Sequence, residues 1–244
     1  MEEMKIGIDI DEVVVEFVDG YLKLFNKKFG KNIVKEDILS YDLWKTLGVS
    51  KEESFDLANE FFEHPLFDDI LFVEGAKESI NRLSKDNQLF FITSLPIKFK
   101  DKTEKFLRKN FPKINFEIIH SGDRFENGLK SKSNICVDLG INVMIEDQFD
   151  YSLSCAEKGI KVFLFDKPWN REKSIENKNI IQIKNWQEIL EKIYGEEKNI
   201  VEEIKNFVEE ECRKPTSSYG YEPFEFHFIP MVNYSKLLAD KLGL

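Results

Sequence analysis

Short apolar runs that end in polar or acidic residues, separated by helical patterns, narrow most what this chain can fold into. The first is Lys5-Ile6-Gly7-Ile8-Asp9-Ile10-Asp11, part of a run from Met4 to Ile10 that reads as a buried strand with charge at its C-terminal end. Comparable runs recur at Leu89–Ile92, Phe116–Ile119, Val143–Ile145 and Val162–Phe165, with a weaker one at Ile180–Ile183. Helical patterns fall between or after them, at Ala76–Lys85, Lys102–Lys109, Ser133–Leu139, Tyr151–Lys158 and Trp186–Ile193. Strands alternating with helices predict an α/β fold: a Rossmann-like parallel sheet with helices on both faces and right-handed crossovers.

One interval breaks the alternation. More than sixty residues separate the first strand from Gly75, too many for one crossover, and they read as helices at Phe17–Phe29, Lys35–Leu47 and Lys51–Phe62. The expected organisation is a catalytic core of residues 1–16 and 73–195 with a helical cap of residues 17–72 inserted after the first strand. Ligands of open parallel sheets bind beyond the carboxyl ends of the strands, so an insertion at that point lies over the pocket. Gly195 and Glu196-Glu197-Lys198 mark a boundary. Beyond it, residues 196–244 form an appendage with helices at Ile200–Cys212 and Met231–Leu242 around an irregular aromatic stretch, Pro215–Pro230.

The chain of 244 residues carries a formal charge of −10, which argues against a nucleic-acid polymer or an anionic membrane as the main partner. A small phosphorylated substrate stays compatible, because a cation, one or two Lys and main-chain N–H groups can hold it locally. Met1-Glu2-Glu3-Met4-Lys5 lacks the basic segment and apolar run of a secretory leader, so a cytoplasmic location is expected. Cys136, Cys155 and Cys212 are odd in number and form no CxxC, which points to reduced thiols rather than a disulfide framework or a zinc site.

Residues i and i+2 of an extended chain project to one side, so Asp9 and Asp11 converge at the end of the first strand. Such a pair is costly unless a cation or a proton lies between the acids. That condition is met by a Mg2+ site, or by a nucleophile with a neighbouring acid; a solvated strand end is the plain alternative. Thr93-Ser94-Leu95-Pro96 closes the next strand with hydroxyls and N–H groups suited to phosphate oxygens. Lys130-Ser131-Lys132-Ser133 precedes a helix and can bring an ammonium to the same sheet edge. Glu146 and Asp147 end another strand, with Asp150 three residues on.

Together these residues resemble the haloacid dehalogenase superfamily of phosphohydrolases, and within it the 5'-nucleotidase, deoxyribonucleotidase-like branch. The resemblance covers residues 4 to 194 and rests on Asp9-Ile10-Asp11-Glu12-Val13, Phe91-Ile92-Thr93-Ser94, a Lys before the penultimate strand, Ile145-Glu146-Asp147 and Phe163-Leu164-Phe165-Asp166-Lys167-Pro168-Trp169-Asn170. It implies a phosphomonoesterase in which Asp9 attacks phosphorus and forms an aspartyl phosphate, while Asp11 acts first as acid and then as base. It further implies Mg2+ held by Asp9, the main-chain carbonyl of Asp11 and Asp147, with Thr93 and Ser94 on the phosphoryl oxygens. Lys132 is the favoured phosphate-site lysine, ahead of Lys130 and Lys102. Glu146 is expected to orient that Lys or a metal-bound water, with Asp150 able to share the role.

The implied substrate is a nucleoside monophosphate, with a sugar phosphate or other small phosphometabolite as the alternative. A receiver-like signalling protein and a silent binding protein on the same fold are the non-hydrolytic alternatives. The cap is rich in aromatics, and Phe is used 22 times in the whole chain. The spacing Phe17, Tyr21, Phe25, Phe29 marks a buried helical stripe, so most rings belong to the cap's own core. Trp44, Phe61 and Phe62 are the candidates to meet a base. Trp169, Asn170 and Arg171 read equally as pocket rim or exposed turn. The segment Tyr219 to His227 resembles the start of an HD-domain phosphohydrolase, but no His-Asp doublet follows, so no complete HD metal site is expected. The oligomeric state, a dimer included, is left open.

Overall fold

The computed structural model describes residues 3–122, 130–195 and 208–210. The chain divides into two compact units, residues 1–190 and 191–244. In the second, only 191–195 and 208–210 are described, and the latter are helical. Apart from those three residues, the expected appendage helices lie outside the described residues, as does His227.

The first unit is built on six parallel strands: β1 Lys5–Ile8, β2 Gln88–Thr93, β3 Phe116–His120, β4 Val143–Glu146, β5 Lys161–Phe165 and β6 Ile180–Ile183. Their order is β3-β2-β1-β4-β5-β6. The chain thus steps outward on one side of β1 and then crosses to the other side at β4. Ile6, Ile8, Phe91, Met144, Ile145, Val162 and Phe163 are all buried, as expected of strands covered on both faces. Gly7 is where β1 meets its neighbours most closely, since a Cβ there would come within 2.7 Å of Met144 Sδ.

The helices are α1 Phe17–Phe29, α2 Leu43–Leu47, α3 Lys51–Glu63, α4 Ala76–Leu83, α5 Lys100–Asn110, α6 Lys132–Leu139, α7 Phe149–Ala156 and α8 Trp186–Tyr194. The first three belong to the insertion. At its base Glu16 N–H donates to Leu71 O (2.8 Å) and Val73 N–H to Val14 O (3.0 Å), so its two ends lie side by side. The helix anticipated over Lys35–Leu47 is instead one 3-10 turn, Lys35–Asp37, followed by the five-residue α2. The intervening Ile38-Leu39-Ser40-Tyr41-Asp42 is not helical, and Ser40 Oγ accepts from Asp42 N–H (3.2 Å), a local bond that competes with helix continuation. α3 begins cleanly because Ser50 and Glu53 form a reciprocal capping box.

The α1 stripe packs as a chain of rings, with Tyr21 and Phe25 buried. Phe29, expected inside, is 42% exposed and only leans on Phe25. A Cβ on Gly20 would come within 2.5 Å of the Phe61 ring, which marks where α3 lies closest to α1.

Candidate active site

β1 and β4 are neighbours at the point where the strand order reverses, and both end in acids. Asp9 N–H bonds Ile145 O (2.9 Å), extending the ladder one residue beyond β1. The chain then turns sharply: Val14 and Val15 N–H both return to Ile10 O (2.8 and 3.1 Å). Asp9, Glu146 and Asp147 are buried and can bring one carboxylate oxygen each within 4.8 Å of one another.

Lys132, the first residue of α6, answers this charge. Its Nζ donates to Asp9 Oδ1 and to Glu146 Oε2, each at 2.8 Å, and lies 4.6 Å from the centre of the Tyr151 ring. Burial alone would lower its pKa, but Asp9 and Glu146 hold it well above the ordinary lysine value. The three lysine candidates are thereby separated. Lys130 is exposed and pairs with Asp138, and Lys102 donates to the main-chain carbonyl of Phe62, so neither joins the acids.

Glu146 Oε1 accepts the main-chain N–H groups of Asp147 (3.3 Å) and Gln148 (3.2 Å), which aims its other oxygen at Lys132. Asp150 takes no part in holding Lys132, since it is exposed on α7 and accepts from Gln148 Nε2 at 3.1 Å. Asp147 is fixed from the β5 side, by residues whose sequence context fits pocket rim and exposed turn alike. Trp169 Nε1 donates to Asp147 Oδ2 (3.0 Å), and Asn170 Nδ2 donates to the carbonyls of Asp147 (2.7 Å) and Phe165 (2.8 Å). Trp169 and Asn170 are buried, whereas Arg171 is exposed and paired with Asp166.

Three buried carboxylates, two of them paired with the one ammonium, leave a negative cluster of oxygens, the donor chemistry a hard divalent cation such as Mg2+ requires. Asp9 Oδ1 accepts from Lys132 and Asp147 Oδ2 from Trp169, whereas Glu146 is committed through both oxygens to Lys132 and the main chain. Without a cation, burial and then the charge of Glu146 raise Asp9 from 3.8 to about 7, although Lys132 opposes the shift. Burial, followed by Glu146 and Asp9, also raises Asp147 well above the ordinary range.

These acids therefore hold protons in the folded chain that the unfolded chain has released. The stability this contributes is present below the ordinary carboxylate range and is lost as pH rises, for Asp9 as it passes through about 7. A bound divalent cation replaces those protons. Mg2+ should raise the melting temperature markedly at pH 7.5 and little at pH 5; equal shifts at both pH values would contradict this account of the site.

The phosphate-side loop follows β2. Thr93 Oγ1 accepts Leu95 N–H (3.1 Å), while Ser121 donates through N–H (2.9 Å) and Oγ (3.2 Å) to the Thr93 carbonyl. His120 Nδ1 lies 3.1 Å from Leu95 O, and a carbonyl only accepts, so Nδ1 carries the proton. Burial lowers the His120 pKa, which keeps the ring neutral in that role. Thr93 is buried at the end of β2, whereas Ser94 lines a cavity.

A cavity of about 90 Å3 runs from the acids into the insertion. Asp11, Ser94, Asp147 and Trp169 line its polar end; Phe17, Tyr41, Trp44, Phe55 and Phe62 line the other. Of the three expected aromatics, Trp44 and Phe62 reach it. Phe61 does not: it is fully buried over Gly20 and edge-on to Phe17 and Phe67. Tyr21 and Ser54 also line the cavity, and the Tyr21 hydroxyl and Ser54 Oγ form a hydrogen-bonded pair at 3.1 Å.

A parallel sheet with acids at its switch point and a helical insertion over them is the architecture of haloacid dehalogenase-type hydrolases. Among solved structures the chain is similar in fold to a haloacid dehalogenase-like hydrolase of Streptococcus pneumoniae (TM-score 0.58, 13% identity, 78% of this chain and 98% of that one). It is likewise similar in fold to a haloacid dehalogenase-type hydrolase of Bacillus subtilis bound to magnesium (TM-score 0.54, 15% identity, 79% of this chain and 99% of that one).

Residues 3–200 match the family of cytosolic type C, deoxy (pyrimidine) 5' nucleotidases, and the chain belongs to that family. It is 31% identical over 194 residues to a nucleotidase of Clostridium acetobutylicum, covering 78% of this chain and 93% of the relative. It is 26% identical over 192 residues to a 5'(3')-deoxyribonucleotidase of Bacillus subtilis, covering 77% and 97%. The protein is thus a nucleotidase-type phosphatase of the haloacid dehalogenase superfamily. Among the described residues no helix is long and apolar enough to cross a membrane.

Proposed function

We propose that the protein is a Mg2+-dependent phosphomonoesterase that hydrolyses (deoxy)nucleoside monophosphates through an aspartyl phosphate on Asp9. The observation that carries this reading is the continuous cavity, which joins Asp11 and Asp147 to a set of aromatic rings suited to a base.

In the first half-reaction an Asp9 oxygen bonds to phosphorus as the ester P–O bond breaks, and Asp11 gives its proton to the departing nucleoside oxygen. In the second, Asp11 takes a proton from water, whose oxygen attacks phosphorus and frees Asp9 and inorganic phosphate. Lys132 holds Asp9 oriented and, with Ser94 and the loop shaped by Thr93, faces the charge of the phosphoryl oxygens. Asp9, Asp147 and the Asp11 carbonyl would hold Mg2+, which supplies charge neutralisation at the phosphoryl group.

Phosphate release should be measured across nucleoside monophosphates and sugar phosphates, with Mg2+ and with a chelator. Preference for nucleotides and loss of activity on chelation are expected; no preference would sink the substrate assignment. Base stacking on an aromatic ring is worth about 1–3 kcal/mol, so Trp44→Ala should raise KM for a nucleoside monophosphate by roughly 5- to 150-fold. Hydrolysis of a sugar phosphate by the same variant should change little.

A further inference from the structure

Glu12 follows the catalytic pair directly, yet it is not one of the carboxylates that converge on the cation position. It is 2% exposed, and among the described residues it alone adopts a left-handed backbone without being glycine, with φ of 62°. A side chain at such a position carries conformational strain and persists only where its surroundings over-determine it. Those surroundings come from two parts of the fold, the insertion and the loop after β5. Glu12 Oε1 accepts Val18 N–H at 2.7 Å, at the start of α1. Glu12 Oε2 pairs with Lys35 Nζ of the insertion at 2.9 Å and with Lys167 Nζ of the β5 loop at 3.1 Å.

Lys35 is held further by Glu16, just before α1, and by Asp19 in its first turn (2.8 Å). Lys167 N–H in turn donates to Asn170 Oδ1 (3.1 Å), and Asn170 clasps the Asp147 carbonyl. One carboxylate therefore joins the turn that bears Asp11, the cap, and the loop that fixes Asp147.

We propose that Glu12 is a positioning residue that latches the cap onto the acid-bearing turn, through its shared ion pairs with Lys35 and Lys167. It sets where Asp11 and the cap aromatics stand relative to Asp9. For its activity readout the proposal rests on the phosphomonoesterase reading.

The test uses p-nitrophenyl phosphate with Mg2+ on Glu12→Gln, Glu12→Gly, Lys35→Met and Lys35→Arg, together with amide hydrogen exchange of the metal-free proteins. Glu12→Gly is the informative variant, since it relieves the backbone while deleting the pairs. Misplacement of reacting groups costs on the order of 10²-fold, so kcat should fall to about that extent in Glu12→Gln and Glu12→Gly alike, measured well below their melting temperatures. Lys35→Met should fall in the same direction, and Lys35→Arg should keep most of the wild-type rate. Exchange at Val18 and along residues 71–73 should quicken in Glu12→Gly and Lys35→Met.

Wild-type kcat in the folded variants, even with lowered melting temperatures, would overturn the proposal. So would activity kept by Glu12→Gly but lost by Glu12→Gln, because turn shape would then suffice. Should Glu12→Gln fail to fold, Lys35→Met carries the same decision from the cap side. If the wild type releases no p-nitrophenol, the phosphomonoesterase reading fails, and the exchange rates alone decide the latch.

Discussion

Asp9→Asn should abolish phosphate release while leaving the protein folded. The substitution keeps the shape of the side chain and removes the anionic oxygen that would form the new bond to phosphorus. Losing a nucleophile that acts with its partners as a unit costs roughly 10⁴–10⁶ in kcat. Stability should change far less than activity in the metal-free protein. The Asp9 carboxyl is raised to about 7 by burial and by Glu146, so its ionised form is a burden on the fold at neutral pH. A neutral amide removes that burden but weakens the contact with Lys132, so only a small net change is expected without metal. With Mg2+ present the wild type should gain stability and Asp9→Asn should gain less. Equal rates of phosphate release from the two proteins, with and without a chelator, would overturn the mechanism.

The parts of this site readable from the amino-acid order are those where the chemistry is local. Asp9, Asp11, Glu146 and Asp147 sit at the ends of apolar runs, and a parallel sheet brings strand ends together whatever the loops do. Other assignments depend on angles that a linear pattern does not carry. Phe61 and Phe62 are adjacent on α3, about 100° apart around its axis, and both fit an apolar stripe. The space above Gly20 is what takes Phe61 into the cap core and leaves Phe62 at the cavity. Lys130 and Lys132 read alike as strings, but Lys132 is the first residue of α6 and is buried, while Lys130 stands outside it and pairs with Asp138.

Long-range partners are the least visible in a linear string. Glu12 reads as one more acid beside Asp11, because Lys167, its partner, lies 155 residues away. Trp169 and Asn170 fit an exposed turn equally well, since nothing near them in the chain shows that Asp147 supplies an acceptor for each. The helix expected over Lys35–Leu47 is lost for the opposite reason: a local side-chain bond at Ser40 wins over periodicity.

Lys132→Met tests the charge balance of the site most severely. Methionine approximates the aliphatic stem but leaves Asp9 and Glu146 facing each other without the ammonium that now lies 2.8 Å from each. Removing one partner of a buried ion pair typically costs roughly 3–5 kcal/mol, because the remaining charge is stranded away from water. Here two carboxylates are stranded, with Asp147 beside them. Asp9 and Asp147, both already raised by burial, can escape by taking up protons, so the loss should be large at pH 8 and smaller at pH 5. Mg2+ should recover part of the stability at pH 8, since a divalent cation offsets the same carboxylates, but it should not recover kcat, because it cannot replace the donor that orients Asp9. Thermal melts at the two pH values, with and without Mg2+, separate these effects. An unchanged melting temperature at pH 8 would mean that Lys132 does not balance the acids, and the electrostatic account of the site would fall with it.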